Sequence, residues 1–407
     1  MPTANLAPGV YVKEVSTGPK PIMAVGTSTA AFVGKAPRAA AGKAPMLITN
    51  WAQFRTAFCD DNSRSTPLSH AVYGFFRNGG SRCYVADIGD AKTLSGSAKN
   101  PAGLALLEPI DEVAIVAAPG FSDAAAYREV LDHCEALGDR FAILDPPEGV
   151  EDLTALTRSA GPVKKAAGGA EAEGAGAGVR PPSSTYGAFY FPRVCVTDPF
   201  EPSPEPVTVA ASGHLAGLYA RTDFERGVHK APANDVLRGV VDLEFRVTRA
   251  AQGDLNANGV NVIRSFTDGL RVWGARTLAD PSSEYRYINV RRLMNMVKES
   301  IQEGTRWVVF EPNDETLWKS ITRDVSAFLM GLWREGALRG SSPEEAFIVK
   351  CDAETNPPDV IDRGEVITEI GIAPVKPAEF ILFKIGQSVG GEGEATKEAE
   401  SAEGQSS

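Results

Sequence analysis

Residues 112–145 constrain the fold of this chain more than any other stretch, because they spell strand, helix and strand in an order with few chain-geometry solutions. VAIVAAP (113–119) is an uninterrupted apolar run, the pattern of a strand covered on both faces. AAAYREVLDHCEALG (124–138) then places apolar residues at helical spacing and closes on Gly138. RFAILDPP (140–147) is a second buried strand, ended by two prolines. Two strands joined by one crossover helix are normally parallel, with a right-handed connection. The chain is therefore predicted to be α/β, with mixed sheets.

Comparable signals flank this unit. An apolar strand is expected around Ala30–Gly34 and helices over Trp51–Phe58 and Leu68–Arg77, the second stopped by Asn78-Gly79-Gly80, with a strand after it at Cys83–Ile88. Further on, NVRRLMNMVKESIQEG (289–304) is an amphipathic helix with Leu293, Val297 and Ile301 on one face and Gly304 at its end. RWVVFEP (306–312) reads as a strand. Asn313 or Asp314 then caps a long helix to about Glu335, and AFIVKCD (346–352) and EVITEIGIAP (365–374) read as two more strands. In the long helix Trp318, Ile321, Val325, Phe328, Leu329 and Leu332 form one apolar face. Lys319, Arg323 and Arg334 line the other, with Met330 among them. Two segments are low in complexity. Residues 161–182 are Gly/Ala-rich and predict a mobile loop, and 388–407 form an acidic Gly/Ser-rich tail expected to be disordered.

Composition limits the function classes. With 43% hydrophobic and 23% charged residues the chain is ordinary for a soluble globular protein. No apolar run approaches the roughly 18–20 residues a membrane helix needs. MPTANLAPGV lacks a charged-then-apolar secretory pattern, so assembly in the cytoplasm is expected. A net charge of −11 argues against direct nucleic-acid binding through phosphate neutralisation. Five scattered cysteines, without a CxxC, predict free thiols in a reducing compartment.

Candidate chemistry is thin. Ser212-Gly213-His214 puts a hydroxyl near an imidazole, but no orienting carboxylate is evident and no G-x-S-x-G elbow occurs. GAGAG (174–178) has no strand before it and opens into Pro181-Pro182 in place of a helix, which argues against a dinucleotide loop. His133 and Cys134 are adjacent on a helix and point apart, a poor metal-ligand geometry. The helix start at Asp123 could hold an anion, as could many α/β helix starts with no ligand. No catalytic, cofactor or metal site is predicted. The enzyme class that stays open is an α/β enzyme with the Gly/Ala-rich segment as an active-site lid.

The chain ends are unusual. PGVYVKEV (8–15) and EFILFKI (379–385) each have a strand pattern fenced by Pro and Gly. Their backbone groups need partners. Pattern alone leaves two options, pairing at an edge of the chain's own sheet or donation to a neighbouring chain by β-augmentation.

Several long runs, in order, decide between them. APGVYVKEVSTGPKPIMAVGTSTAAFVG (7–34), SGHLAGLYARTDFERGVHKAPAN (212–234), LNANGVNVIRSFTDGLRVWGARTL (255–278), YRYINVRRLMNMVKESIQEGTRWVVFEPND (285–314), LWKSITRDVSAFLMGLWREGALRGSSPEEAFIVKCDAETNP (317–357) and GIAPVKPAEFILFKIGQ (371–387) resemble contractile tail sheath proteins. The resemblance is greatest to sheath subunits of phage-tail-like extracellular contractile injection systems, of the anti-feeding prophage and virulence cassette type, and is weak over about 90–204. It implies a structural subunit that polymerises helically around an inner tube, in stacked hexameric rings, and contracts from a metastable extended state without nucleotide. Implied partners are further copies of the chain, the inner tube protein, baseplate and terminal cap proteins and, where present, paralogous sheath subunits. The particle would be released from the cell on lysis. The resemblance further implies an N-terminal arm (1–19), an inner domain built from 20–88 with 265–375, an inserted outer domain (89–264) and a C-terminal arm (376–387). The arm contacts would be Val10, Tyr11, Val12 and Val15 at one end and Phe380, Leu382, Phe383 and Ile385 at the other. Lys319, Arg323 and Arg334 would face the tube.

Overall fold

The computed structural model describes residues 21–39, 44–91, 93–97, 99–160, 178–201 and 205–380. The chain divides into one compact unit ending at Lys376 and a second beginning at Pro377. In chain order, the elements that matter below start with β1 (Ala30–Gly34), β2 (Met46–Ile48), α1 (Trp51–Phe58), α2 (Pro67–Asn78) and β3 (Cys83–Asp87). Then come β4 (Ile115–Ala117), α3 (Ala124–Leu137), β5 (Phe141–Leu144), β6 (Gly187–Phe191) and α4 (Ser212–Arg226). The last are β7 (Val260–Phe266), β8 (Gly269–Val272), α5 (Ile288–Gly304), α6 (Glu315–Arg334), β9 (Phe347–Lys350) and β10 (Glu369–Ile372).

The predicted strand–helix–strand unit is present and parallel, with Ile115 opposite Phe141 and Val116 opposite Ala142. Its helix starts on Asp123, whose carboxylate accepts from the Ala125 and Ala126 amides, and ends on Gly138 in the left-handed conformation. This unit lies at the centre of an eight-stranded sheet in the order β8-β7-β6-β5-β4-β1-β3-β2. The six inner strands are parallel, while β2 and β8 run antiparallel at the edges.

Alternation along each strand builds two cores. Phe32, Ile115, Phe141, Ile143 and Tyr190 pack with Leu68, Phe75, Leu215 and Tyr219 of α2 and α4 on one face. Val33, Val116, Leu144, Phe189 and Phe191 pack with Tyr127, Val130 and Leu131 of α3 on the other. Each such large apolar side chain contributes about 1.5–3 kcal/mol by leaving water. The α2–α4 contact is close because glycine lines it. A Cβ at Gly213 would come within 2.2 Å of the Ala71 carbonyl oxygen, and one at Gly217 within 2.4 Å of the Phe75 carbonyl oxygen.

A third core lies outside these layers. Leu293, Met296 and Val297 of α5 meet Leu317, Trp318, Ile321, Val325, Phe328, Leu329 and Leu332 of α6, with Ile22 and Val228 closing the cluster. The buried face of α6 is the one its sequence predicts. The polar side of α5 fastens to the main sheet, where Asn295 donates to the Arg140 carbonyl at 3.2 Å and Lys298 to that of Gly138 at 3.3 Å.

One expectation is corrected here. Residues 306–312 do not form a strand. Arg306–Val308 make a single 3-10 turn, and Val309 and Phe310 project from it into solvent. High strand propensity has no sheet to join at that point. Strands from both sides of position 88 belong to one continuous sheet. β1 is hydrogen-bonded to β3 on one side and to β4 on the other, so 20–88 shares its core with the segment predicted to be a separate insertion.

Candidate functional site

The chemistry-bearing residues named from sequence belong to the scaffold. His214 is 2% exposed and wedged against Gly74, where a Cβ would meet its Nδ1 at 2.4 Å. Burial, with His70 nearby, pushes its pKa down to about 4, so the ring is neutral. The Ser212 amide donates to the buried Asp145 carboxylate at 2.8 Å. His214 thus sits inside the α2–α4 contact, and Ser212 is buried beside Asp145 just past the end of β5. His133 lies 3.3 Å from the buried Arg140 guanidinium, and Cys134 is fully buried. Among the described residues no cluster of His, Cys, Asp and Glu could hold a metal ion. The α3 N-terminus is capped by its own Asp123, which fills the one anion position the sequence offered there. Of GAGAG, residues 174–177 lie outside the described residues.

What the structure presents is a set of attachment features. The first is the segment entering from the N-terminal side. Ile22 is buried against Gly304, where a Cβ would come within 2.7 Å of it. The Val25 amide donates to Ser300 Oγ at 3.0 Å. Thr27 Oγ1 donates to Asp223 Oδ2 at 2.7 Å, and the same carboxylate accepts from Arg292 Nη1 at 2.9 Å and Nη2 at 2.6 Å. Arg292 Nη2 also donates to the Thr27 carbonyl at 2.9 Å. With Arg292 and Asp223 only 3% and 5% exposed, this pair pins residues 22–27 to α4 and α5. Breaking one partner of such a pair leaves a buried charge, a loss of about 3–5 kcal/mol. Sequence gave no sign of this latch, because its members are far apart in the chain.

The second feature is the two-stranded sheet of β9 and β10. Phe347 pairs with Ile372 and Lys350 with Glu369 in antiparallel register. Phe347, Val349 and Ile372 pack down on the third core, while Ile348 is 64% exposed. Among the described residues no third strand joins either edge. Two bare edges are templates for added strands.

The third is the outer face of α6. Asp314 caps the helix by accepting from the Leu317 amide at 2.9 Å. Lys319, Arg323 and Arg334 are all exposed, as predicted, but they are not equivalent. Lys319 pairs with Glu315 at 2.9 Å and Arg323 with Asp324 at 2.9 Å. Three cations against two carboxylates of the same helix leave a surplus of one charge, so the stripe is weaker electrostatically than its sequence suggests. Of the predicted arm contacts, Phe380 is described and exposed. Val10, Tyr11, Val12, Val15, Leu382, Phe383 and Ile385 lie outside the described residues.

Comparisons with known proteins place these features in context. Residues 96–278 match the family model described as phage tail sheath protein central domain, and residues 280–388 match that of the phage tail sheath C-terminal domain. The helical sheath of the anti-feeding prophage in its contracted state superposes with a TM-score of 0.73 at 32% identity, over 95% of this chain and 100% of that one. The sheath complex of an extracellular contractile injection system, PVC, in its contracted state gives a TM-score of 0.72 at 29% identity, over 95% of this chain and 99% of that one. A tail sheath protein of Vibrio phage KVP40 is 32% identical over 43% of this chain and 26% of its own length. The chain spans 26–45% of the length of the curated relatives it matches.

Proposed function

The chain belongs to the phage tail sheath family, and on that premise we propose that it polymerises head to tail into a helical sheath around an inner tube and contracts to drive that tube forward. The observation that carries the proposal is the superposition, over 95% of this chain, on a helical sheath solved in its contracted state.

The attachment features fit this role. A head-to-tail contact whose rotation does not close builds a helix in place of a ring. The two open edges of β9 and β10 would accept strands from neighbouring copies, namely the arms at 8–15 and 379–385. Strand pairing holds through backbone hydrogen bonds, so the connection survives when the subunit bodies rotate against each other. The latch at residues 22–27 gives the N-terminal arm a rigid root, so a pull on the arm is delivered to α4 and α5. Contraction is then a subunit-by-subunit shift from a metastable packing to a better one, with the energy stored at assembly. The surplus charge on α6 supports a tube-facing role for Arg334 above Lys319 and Arg323. Baseplate, terminal cap and any paralogous sheath chains are the further partners of such a polymer, which would assemble in the cytoplasm and leave the cell on lysis.

Co-expression with the tube protein tests the reading. Negative-stain images are expected to show striated hollow cylinders. A persistent folded monomer beside assembled tube would refute it and return attention to an enzyme role.

A further inference from the structure

Phe310 lies in the turn between α5 and α6 with its side chain wholly in solvent, beside Val309 at 63% exposure. Its backbone is left-handed, at φ 71°. Among the described residues one other non-glycine residue shares that feature, Asn234, and asparagine tolerates it where phenylalanine does not. Strain and apolar exposure both disfavour this arrangement in a chain on its own. Such outliers point to a contact made elsewhere. The turn is held firmly, with the Glu311 amide donating to the Val308 carbonyl at 3.1 Å and Asn313 Nδ2 to that of Glu365 at 2.8 Å. It presents the ring as a fixed knob.

We propose that Phe310 docks into a second copy of this chain, in a hollow of about 380 Å³ where Val290 and Met294 of α5 face Ile372. Three observations select that occupant. The hollow has room for an aromatic ring, and Val290, Met294, Ile372 and Pro374 supply apolar lining among its polar groups. Its rim carries Arg339 and Lys376 against Glu284, a net positive edge for the Glu311 carboxylate that follows the knob. Knob and hollow also lie at opposite ends of α5, which is roughly 25 Å long at the helical rise. A knob at one end and its receptor at the other make a heterologous contact that propagates along one direction. The inference rests on the sheath reading and adds a specific side-chain contact to it.

Phe310→Gly and Phe310→Asn both accept the left-handed backbone and delete the ring. Each is expected to keep or raise the melting temperature of the unassembled chain and to raise the concentration needed for polymerisation about tenfold or more. With a benzophenone side chain at 310, irradiated polymer should yield adducts between two copies, mapping to the lining of the hollow. Polymerisation of both variants at the wild-type concentration would overturn the proposal. So would adducts to the tube protein, to the same chain, or to another surface of the second copy. If the wild-type chain itself fails to polymerise, the sheath reading falls first.

Discussion

Glu299 shows how one residue of the α5 seam can report on the fold. Burial, with the charges of Asp139 and Glu303 adding, raises its pKa to about 7, and Arg140 pulls the other way. In the unfolded chain the group loses its proton near its ordinary value of 4.5. Between the two values the folded state binds more protons, so this residue makes stability fall as pH rises from about 4.5 to about 7. Glu299→Gln should therefore gain melting temperature relative to wild type at pH 8, and gain less at pH 5. An equal difference at both values would mean that Glu299 is not desolvated at this seam. Residues of this kind were not legible in the sequence. Asp223 and Arg292 are 69 positions apart, and neither periodicity nor spacing marks a carboxylate and a guanidinium as mutual partners.

At the scale of elements, sequence and structure agree wherever the signal is local. Gly138, Asp123 and Asp314 were readable as helix ends because capping needs only a few consecutive residues. The apolar face of α6 was readable for the same reason. Residues 306–312 failed that test, since Trp307, Val308, Val309 and Phe310 have strand propensity but no neighbouring strand. The close α2–α4 packing was likewise hidden, because Gly213 and Gly217 reveal their purpose only beside Ala71 and Phe75. The polar face of α6 carries a graded prediction. Arg334→Glu should reduce co-sedimentation with assembled tube severalfold, and Arg323→Glu should do so less, because Asp324 already neutralises part of its charge. Equal behaviour of both variants and wild type would remove α6 from the tube contact.

For the whole molecule, the parallel α/β core was legible in residues 112–145. β1 sits between β3 and β4 in the sheet, an arrangement that joins segments drawn apart along the sequence. Among the described residues β9 and β10 form a two-stranded sheet on top of the third core, too small to be stable without that support. We propose those edges as the joints of a polymer, with residues 22–27 tied to the body by the Arg292–Asp223 latch. A helical reconstruction of the assembled chain at side-chain resolution tests this most directly. It should show strands 8–15 and 379–385 paired to the outer edges of β9 and β10, each donated by a different neighbouring copy. Edges left bare, or filled by the subunit's own termini, would contradict it.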